Sequence, residues 1–181
     1  QFIETSKGDV PYFANARPDF ILMCGMTEAQ QETVTQELLP YRDRLQELID
    51  DGVPMLFCGN APEVLCREIA DARGTTVAGL GLIDARVERD MGRRFVSVQE
   101  GTFEPGNGAE PIDVVGFKIQ FTQVEGDNSA APFVHLTTGW GLNEQSTLEG
   151  FCLKNCIATW MIGPELPLNP PLAKHLMSLM G

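Results

Sequence analysis

A short apolar run in the first third of the chain restricts the possible folds most strongly. Residues 53–58, Val-Pro-Met-Leu-Phe-Cys, follow Asp51-Gly52 and lead directly into Gly59-Asn60. A continuous apolar run bounded by turn residues is typical of a strand buried on both faces. Pro62, which suits the first turn of a helix, predicts a helix from there to about Ala72. The segment therefore predicts a buried strand, a sharp turn and a helix.

The preceding residues predict a similar strand and helix. The apolar residues 20–24 follow Pro18-Asp19 and predict a short buried strand. Thr27 and Gln30 form the pattern of a capping box at the start of a long amphipathic stretch that ends at Asp51-Gly52. Pro40 should divide this stretch into two helical pieces. The order strand–helix–strand–helix predicts parallel strands covered by helices.

The rest of the chain has a different character, rich in valine, phenylalanine, isoleucine and threonine. We expect strands within residues 86–99, 113–124, 133–138 and 151–160, a loop over 101–108, and a terminal helix capped by Asn169. Together these features predict one α/β domain over residues 1–181, with an added antiparallel portion.

Charge and cysteine content exclude several classes of function. The formal net charge is -12, from 25 acidic and 13 basic residues, which disfavours binding to nucleic acid or anionic lipid. No apolar run approaches the roughly 20 residues that a membrane span needs. The five cysteines form no Cys-x-x-Cys pair, and we see no secretory signal, so we expect a reducing cytoplasm. The two histidines, His135 and His175, are far apart, so we expect no metal site, and nothing indicates a cofactor.

Cys58 is a candidate nucleophile because it follows a buried strand and precedes a helix. The positive end of a helix lowers the pKa of a thiol, and a tight turn directs backbone N–H groups at a developing oxyanion. The alternative is that Cys58 is a small buried hydrophobic residue, as free cysteines often are. The local pattern leaves both possibilities open.

The chain contains a series of distinctive sequence blocks, which are residues 19–25 with Gln30-Gln31, 52–59, 79–84, 115–117, 139–143 with Glu149-Gly150, and 158–170. In this order they resemble the blocks of class I glutamine amidotransferases of the CobB/CobQ (cobyric acid synthase) type. The last block is similar to the closing signature of one branch, the glutaminase subunits of lipid II isoglutaminyl synthase; the cobyric acid synthase branch is an alternative. The resemblance implies a flavodoxin-like three-layer sandwich with a mainly parallel central sheet. It also implies that the family's opening strand and helix are absent here.

The same resemblance implies roles for individual residues. Cys58 would be the nucleophile, backbone amides of Gly25 and Gly59 would form the oxyanion hole, and Arg94, preferred to Arg93, would hold the substrate carboxylate. Ile162 stands where the family has its catalytic histidine, so the thiol lacks a general base.

Other positions of the family pattern are replaced as well. They are Gln120, at the place of a second histidine, with Cys24, Met26, Asn60 and Pro62. His135, His175 and Glu63 are poor substitutes for the base, because the histidines lie on apolar elements and a carboxylate disfavours thiolate formation.

Two hypotheses of different classes follow from this pattern. The chain is either a glutaminase subunit that delivers ammonia from glutamine to a Mur-ligase-like synthetase, with impaired activity, or a non-catalytic scaffold or ligand-binding domain. The simultaneous replacement of Ile162, Gln120, Met26 and Pro62 favours the second hypothesis.

Overall fold

The computed structural model describes residues 1–71, 73–106, 108–163 and 165–180. Ala72 at the end of a predicted helix, Asn107 in the predicted loop and Pro164 in the closing block lie outside the described residues. The described chain is of mixed α/β class and contains three four-stranded sheets. The described part of the chain contains no helix with the length and hydrophobicity that a membrane span requires.

The first two helices, α1 (Glu28–Leu38) and α2 (Arg42–Asp50), begin and end largely where the sequence predicts. The other helices are the single turn α3 (Pro62–Leu65) and, near the end of the chain, α4 (Glu165–Leu168) and α5 (Pro170–Leu179). Thr27 forms the predicted capping box, because its hydroxyl accepts from the backbone N–H of Gln30 and the Gln30 side chain accepts from Thr27. Pro40 lies in a 3₁₀ turn between α1 and α2, which confirms the predicted break.

The first sheet carries the parallel strands. Its order is β1 (Ile21–Met23), β2 (Met55–Cys58), β12 (Cys156–Thr159) and β11 (Phe151–Leu153). β2 runs parallel to both β1 and β12, whereas β11 is antiparallel to β12. All of β2 is buried, as predicted. β1 lies at the side of the sheet with Leu22 half-exposed, so the prediction of a buried strand there is wrong.

The other two sheets form the antiparallel portion. The second has the order β4 (Thr76–Ala78), β3 (Cys66–Asp71), β5 (Ile83–Arg89) and β8 (Thr122–Gly126), with β3 and β5 parallel. The third has the order β10 (Leu148–Glu149), β9 (Val134–Thr138), β6 (Phe95–Phe103) and β7 (Ile112–Gln120), antiparallel throughout. Parallel pairs therefore dominate only the first sheet, and antiparallel pairing is more extensive than the sequence predicts.

The helix predicted from Pro62 to Ala72 is wrong beyond its first turn. Three backbone carbonyls that a continuing helix would need accept hydrogen bonds from the segment before β5 instead. The backbone N–H of Leu80 donates to Val64 at 2.8 Å, that of Leu82 donates to Leu65 at 2.8 Å, and that of Gly81 donates to Cys66 at 3.0 Å. Gly79 packs so closely that a Cβ there would lie 2.1 Å from the Cys66 carbonyl oxygen. Pairing with the two strands that follow, β4 and β5, therefore makes 66–71 a strand, β3.

The predicted terminal helix is confirmed as α5, but its cap differs from the prediction. The side chain of Asn169 makes no cap hydrogen bond to α5. Its side-chain amide accepts a hydrogen bond from the Val115 N–H on β7 and donates one to the Val115 carbonyl, both at 2.8 Å. It also donates to the Glu165 carbonyl at 2.7 Å. Asn169 thus fastens α4 and α5 to the third sheet.

Candidate functional site

Three segments that follow parallel strands meet at one edge of the first sheet. They are Cys24-Gly25 after β1, Gly59-Asn60 after β2, and residues 160–162 after β12. The carboxyl ends of parallel strands are the usual place for ligand sites in α/β proteins. A cavity of about 570 Å³ opens here. Its lining also includes the first turn of α1, Arg89 at the end of β5, and residues 119–122 between β7 and β8.

Cys58 is the last residue of β2 and is only 7% exposed. Burial, together with the neighbouring Cys24 and Glu165, raises the pKa of its thiol to about 12, while a hydrogen bond from the Gly25 backbone acts in the opposite direction. The following helix α3 has a single turn, so its dipole offers little compensation. Cys58 is therefore a protonated thiol at neutral pH.

The backbone around Cys58 is tightly packed, and its N–H groups are already in use. Gly59 has φ of +72°, and a Cβ there would lie 3.1 Å from Cα of Gly25. The Gly59 N–H donates to the Met161 carbonyl at 3.0 Å. The structure brings Gly25 and Gly59 together beside Cys58, and their role as an oxyanion hole stays a prediction.

Asn60 holds the other side of this turn. Its amide Oδ1 accepts from the Met26 N–H, and its Nδ2 donates to the Met26 carbonyl, both at 2.8 Å. This pair of bonds ties the segment after β1 to the segment after β2. Asn60 therefore acts as a structural clamp in the lining of the cavity.

Ile162 lies on the cavity wall where the resemblance places a histidine. Its backbone N–H donates to the Phe117 carbonyl at 2.8 Å, and its Cγ2 is 3.5 Å from the position of a Cβ on Gly59. Gln120, the second replaced position, also lines the cavity. Its Nε2 donates to the Thr122 carbonyl at 2.6 Å, while its Oε1 has no hydrogen-bond partner among the described residues.

Neither histidine of the chain reaches this site. His135 is exposed on β9, opposite Leu148, and the ring of His175 on α5 packs edge-on against Phe103 with centroids 5.7 Å apart. Neither belongs to the lining of the cavity. The described part of the site thus presents no imidazole to the Cys58 thiol.

Glu63 belongs to a buried polar network at the base of the cavity. Its carboxylate accepts from Gln31 at 3.0 Å and from Thr122 at 2.8 Å, and Arg89 lies 3.7 Å away. Burial raises the pKa of Glu63, although these hydrogen bonds and the Arg89 charge act in the opposite direction. With its carboxylate held by these partners, Glu63 is part of the scaffold of the site.

Arg89, not Arg94, is the arginine in the cavity lining. Arg89 also donates to Oε1 of Gln31, and only 10% of its side chain is exposed. Arg94 lies 5.3 Å from the centre of the Phe121 ring and is outside the lining, so its predicted contact with a substrate stays untested. Sequence reasoning missed Arg89 because Glu88-Arg89 resembles an ordinary charged strand end. The useful signal would have been the alternation of buried residues along β5, because Arg89 continues the series of inward-facing positions.

Comparison with known proteins identifies the family. The family model described as the CobB/CobQ-like glutamine amidotransferase domain matches residues 1–166. The chain belongs to this family. Within the CobB/CobQ-like family, it is 27% identical over 161 residues to a curated relative, "Lipid II isoglutaminyl synthase (glutamine-hydrolyzing) subunit GatD" of Staphylococcus aureus (strain N315). The match covers 88% of this chain and 62% of the length of that relative.

A solved structure of a glutamine amidotransferase supports the same fold. It superposes with a TM-score of 0.53 at 17% identity, covering 90% of this chain and 79% of the other. At that identity the likeness concerns the fold alone. The similarity to GatD is likewise distant.

Proposed function

We propose that this CobB/CobQ-like domain is the amidotransferase-like subunit of a complex with a Mur-ligase-like synthetase, and that it has lost glutaminase turnover. Two observations carry the proposal: Ile162 lies on the cavity wall at the place of the family's histidine, and the pKa of the buried Cys58 thiol, which is outside the lining, is about 12. Similarity to GatD supports peptidoglycan precursor amidation over cobalamin synthesis as the pathway of origin. A cytoplasmic location remains a prediction.

Turnover of glutamine would require chemistry that these residues do not supply. The Cys58 sulfur would have to lose its proton, attack the amide carbon, and pass a proton to the departing ammonia. Isoleucine can neither accept nor donate a proton. The carboxyl group of Glu165 lies close enough to raise the Cys58 pKa further, so it disfavours the thiolate.

The backbone donors near the thiol support the same conclusion. An oxyanion hole needs N–H groups free to bind the reacting oxygen. Here the Gly59 N–H bonds Met161 and the Met26 N–H bonds Asn60. Both would have to break existing hydrogen bonds before they could stabilise a tetrahedral intermediate.

The cavity itself favours binding as the remaining role of the site. It keeps a volume of about 570 Å³ and a partly exposed polar lining that includes Gln30, Arg89 and Gln120. Gln30 is exposed in this lining, and its side-chain NH₂ group can donate a hydrogen bond to a ligand carbonyl. A small amide-bearing ligand such as glutamine can therefore bind without being hydrolysed.

Reconstituted amidation tests the proposal. The full chain is co-expressed with its candidate ligase, and the isolated complex receives a peptidoglycan precursor, ATP and either glutamine or an ammonium salt. We expect a stable complex that amidates the precursor with the ammonium salt but not with glutamine. Glutamine-dependent amidation that Cys58→Ala abolishes would overturn the loss of turnover, and failure to form a complex would overturn the assignment of the partner.

A further inference from the structure

Two cysteines lie side by side where β1 and β2 end. The parallel register pairs Met23 with Phe57, which places Cys24 opposite Cys58 at the next position. The residues that follow stay close, because a Cβ on Gly25 would lie 3.8 Å from Cα of Gly59. Contacts on both sides thus hold Cys24 and Cys58 in register.

This placement suits a disulfide bond. Neighbouring strands are about 4.7–4.9 Å apart, and disulfides join residues whose Cα atoms are about 4.4–6.8 Å apart. Residues paired in register on parallel strands direct their side chains to the same face. The Cys24 side chain also lies close enough to Cys58 to raise the pKa of the Cys58 thiol.

The two thiols differ in access to solvent. Cys24 is exposed, whereas Cys58 is buried. A small oxidant can therefore reach the Cys24 sulfur directly, and Cys58 lies behind it as the second partner. Such a pair has the arrangement of an attacking thiol and a resolving thiol.

We propose that Cys24 and Cys58 form a reversible disulfide by exchange with a low-molecular-weight disulfide such as oxidised glutathione. The Cys24 thiolate attacks one sulfur of the oxidant, forms a mixed disulfide and releases one glutathione thiolate. The Cys58 sulfur, after losing its proton to solvent, attacks Cys24 and releases the second glutathione thiolate. The protein pair loses two electrons and two protons, and the oxidant becomes two molecules of glutathione.

The bond would change the site in a defined way. It would consume the candidate nucleophile and fasten the end of β1 to the end of β2 beside the cavity. The raised pKa of Cys58 makes the second step the slower one, so the reaction should accelerate as the pH increases.

The chain supplies a matched control in its other cysteine pair. Cys152 and Cys156 lie on the β11–β12 hairpin, but the register pairs Cys152 with Ile157 and Leu153 with Cys156. Because successive residues of a strand point to opposite faces, Cys152 and Cys156 are directed away from each other. They should not form a disulfide under the same conditions.

The test is oxidation of the full chain with oxidised glutathione, followed by thiol titration and peptide mapping of the alkylated product. We expect the number of free thiols to fall from five to three, and a linked peptide to join Cys24 to Cys58. Fragmentation of that peptide in the mass spectrometer distinguishes Cys58 from Cys66, which is close to it in sequence. Dithiothreitol should restore all five. Cys24→Ser and Cys58→Ser should each prevent the intramolecular bond, and Cys152→Ser should not.

Two outcomes would overturn the proposal. One is a Cys24–glutathione adduct that persists without conversion at alkaline pH, and the other is a Cys152–Cys156 link formed as readily as the expected one. Because the readout is the wild-type peptide map, it is independent of variant folding. It is also independent of whether the chain hydrolyses glutamine.

Discussion

The protonation of Cys58 decides what the site can do at the scale of a single residue. Burial, Cys24 and Glu165 all favour the neutral thiol, and Ile162 offers no base. The family resemblance predicted the missing base from position alone. The sequence could not predict the pKa of Cys58, because its burial and the approach of Cys24 and Glu165 come from distant segments.

Alkylation with iodoacetamide should show the protonated thiol directly. Because only the thiolate reacts, a pKa of about 12 predicts that Cys58 reacts about 10³-fold more slowly near pH 8 than a thiol with an ordinary value near 9.0. The rate should rise continuously towards pH 12. Labelling resolved by peptide, with and without urea, measures the alkylation rate of Cys58. A rate that levels off near pH 7 would contradict the assigned protonation.

Asn60 provides a second prediction at this scale. Asn60→Asp removes the Nδ2 donor and puts a carboxylate against the Met26 carbonyl, which should cost about 1–3 kcal/mol of unfolding free energy. Urea denaturation measures the loss. Asn15→Asp, at an exposed residue, is the matched control and should change stability by less than about 0.5 kcal/mol. Equal effects in the two variants would mean that the Asn60 clamp contributes nothing.

At the scale of elements, local signals predicted β2, the Thr27 capping box and the break at Pro40. These features depend on neighbouring residues in the sequence. The stretch 66–71 was predicted wrongly because contacts outside the segment, the pairing with β4 and β5, decide its conformation. The same reason explains why Asn169 was predicted as a helix cap although it binds β7.

A buried ion pair joins two strands of the third sheet. Lys118 on β7 contacts Glu149 on β10, both side chains are fully buried, and Lys118 also donates to the Gly141 carbonyl. Glu149 accepts further hydrogen bonds from Thr159 and the Trp160 backbone, at 2.8 and 2.9 Å. This pair therefore links the third sheet to the segment that leads to Ile162.

Breaking this pair on one side should be costly. Lys118→Met leaves a buried carboxylate without its counter-ion and should lower the unfolding free energy by about 3–5 kcal/mol. Adding Glu149→Gln should recover part of the loss, which a double-mutant cycle in urea measures. The exposed pair Arg93–Glu144 is the control, and breaking it should lower the unfolding free energy by less than about 1 kcal/mol. Additive effects at Lys118 and Glu149 would contradict the coupling.

At the scale of the whole molecule, the site depends on elements from all parts of the chain. Segments after β1, β2 and β12 line the cavity together with α1, Arg89 of β5 and the β7–β8 turn. The sequence blocks predicted which segments belong to the site because they match a family order. They could not predict Arg89 or the Glu63 network, which arise only when the second sheet packs against the first.

The measurement that tests the central claim most directly is ammonia release from glutamine by the isolated chain. We compare the wild type, Cys58→Ala, Ile162→His and the double variant. The account predicts that wild type and Cys58→Ala are indistinguishable, and that Ile162→His gains release that the double variant lacks, since a general base contributes about 10²–10⁴-fold. Ammonia release by the wild type that Cys58→Ala abolishes would contradict the account.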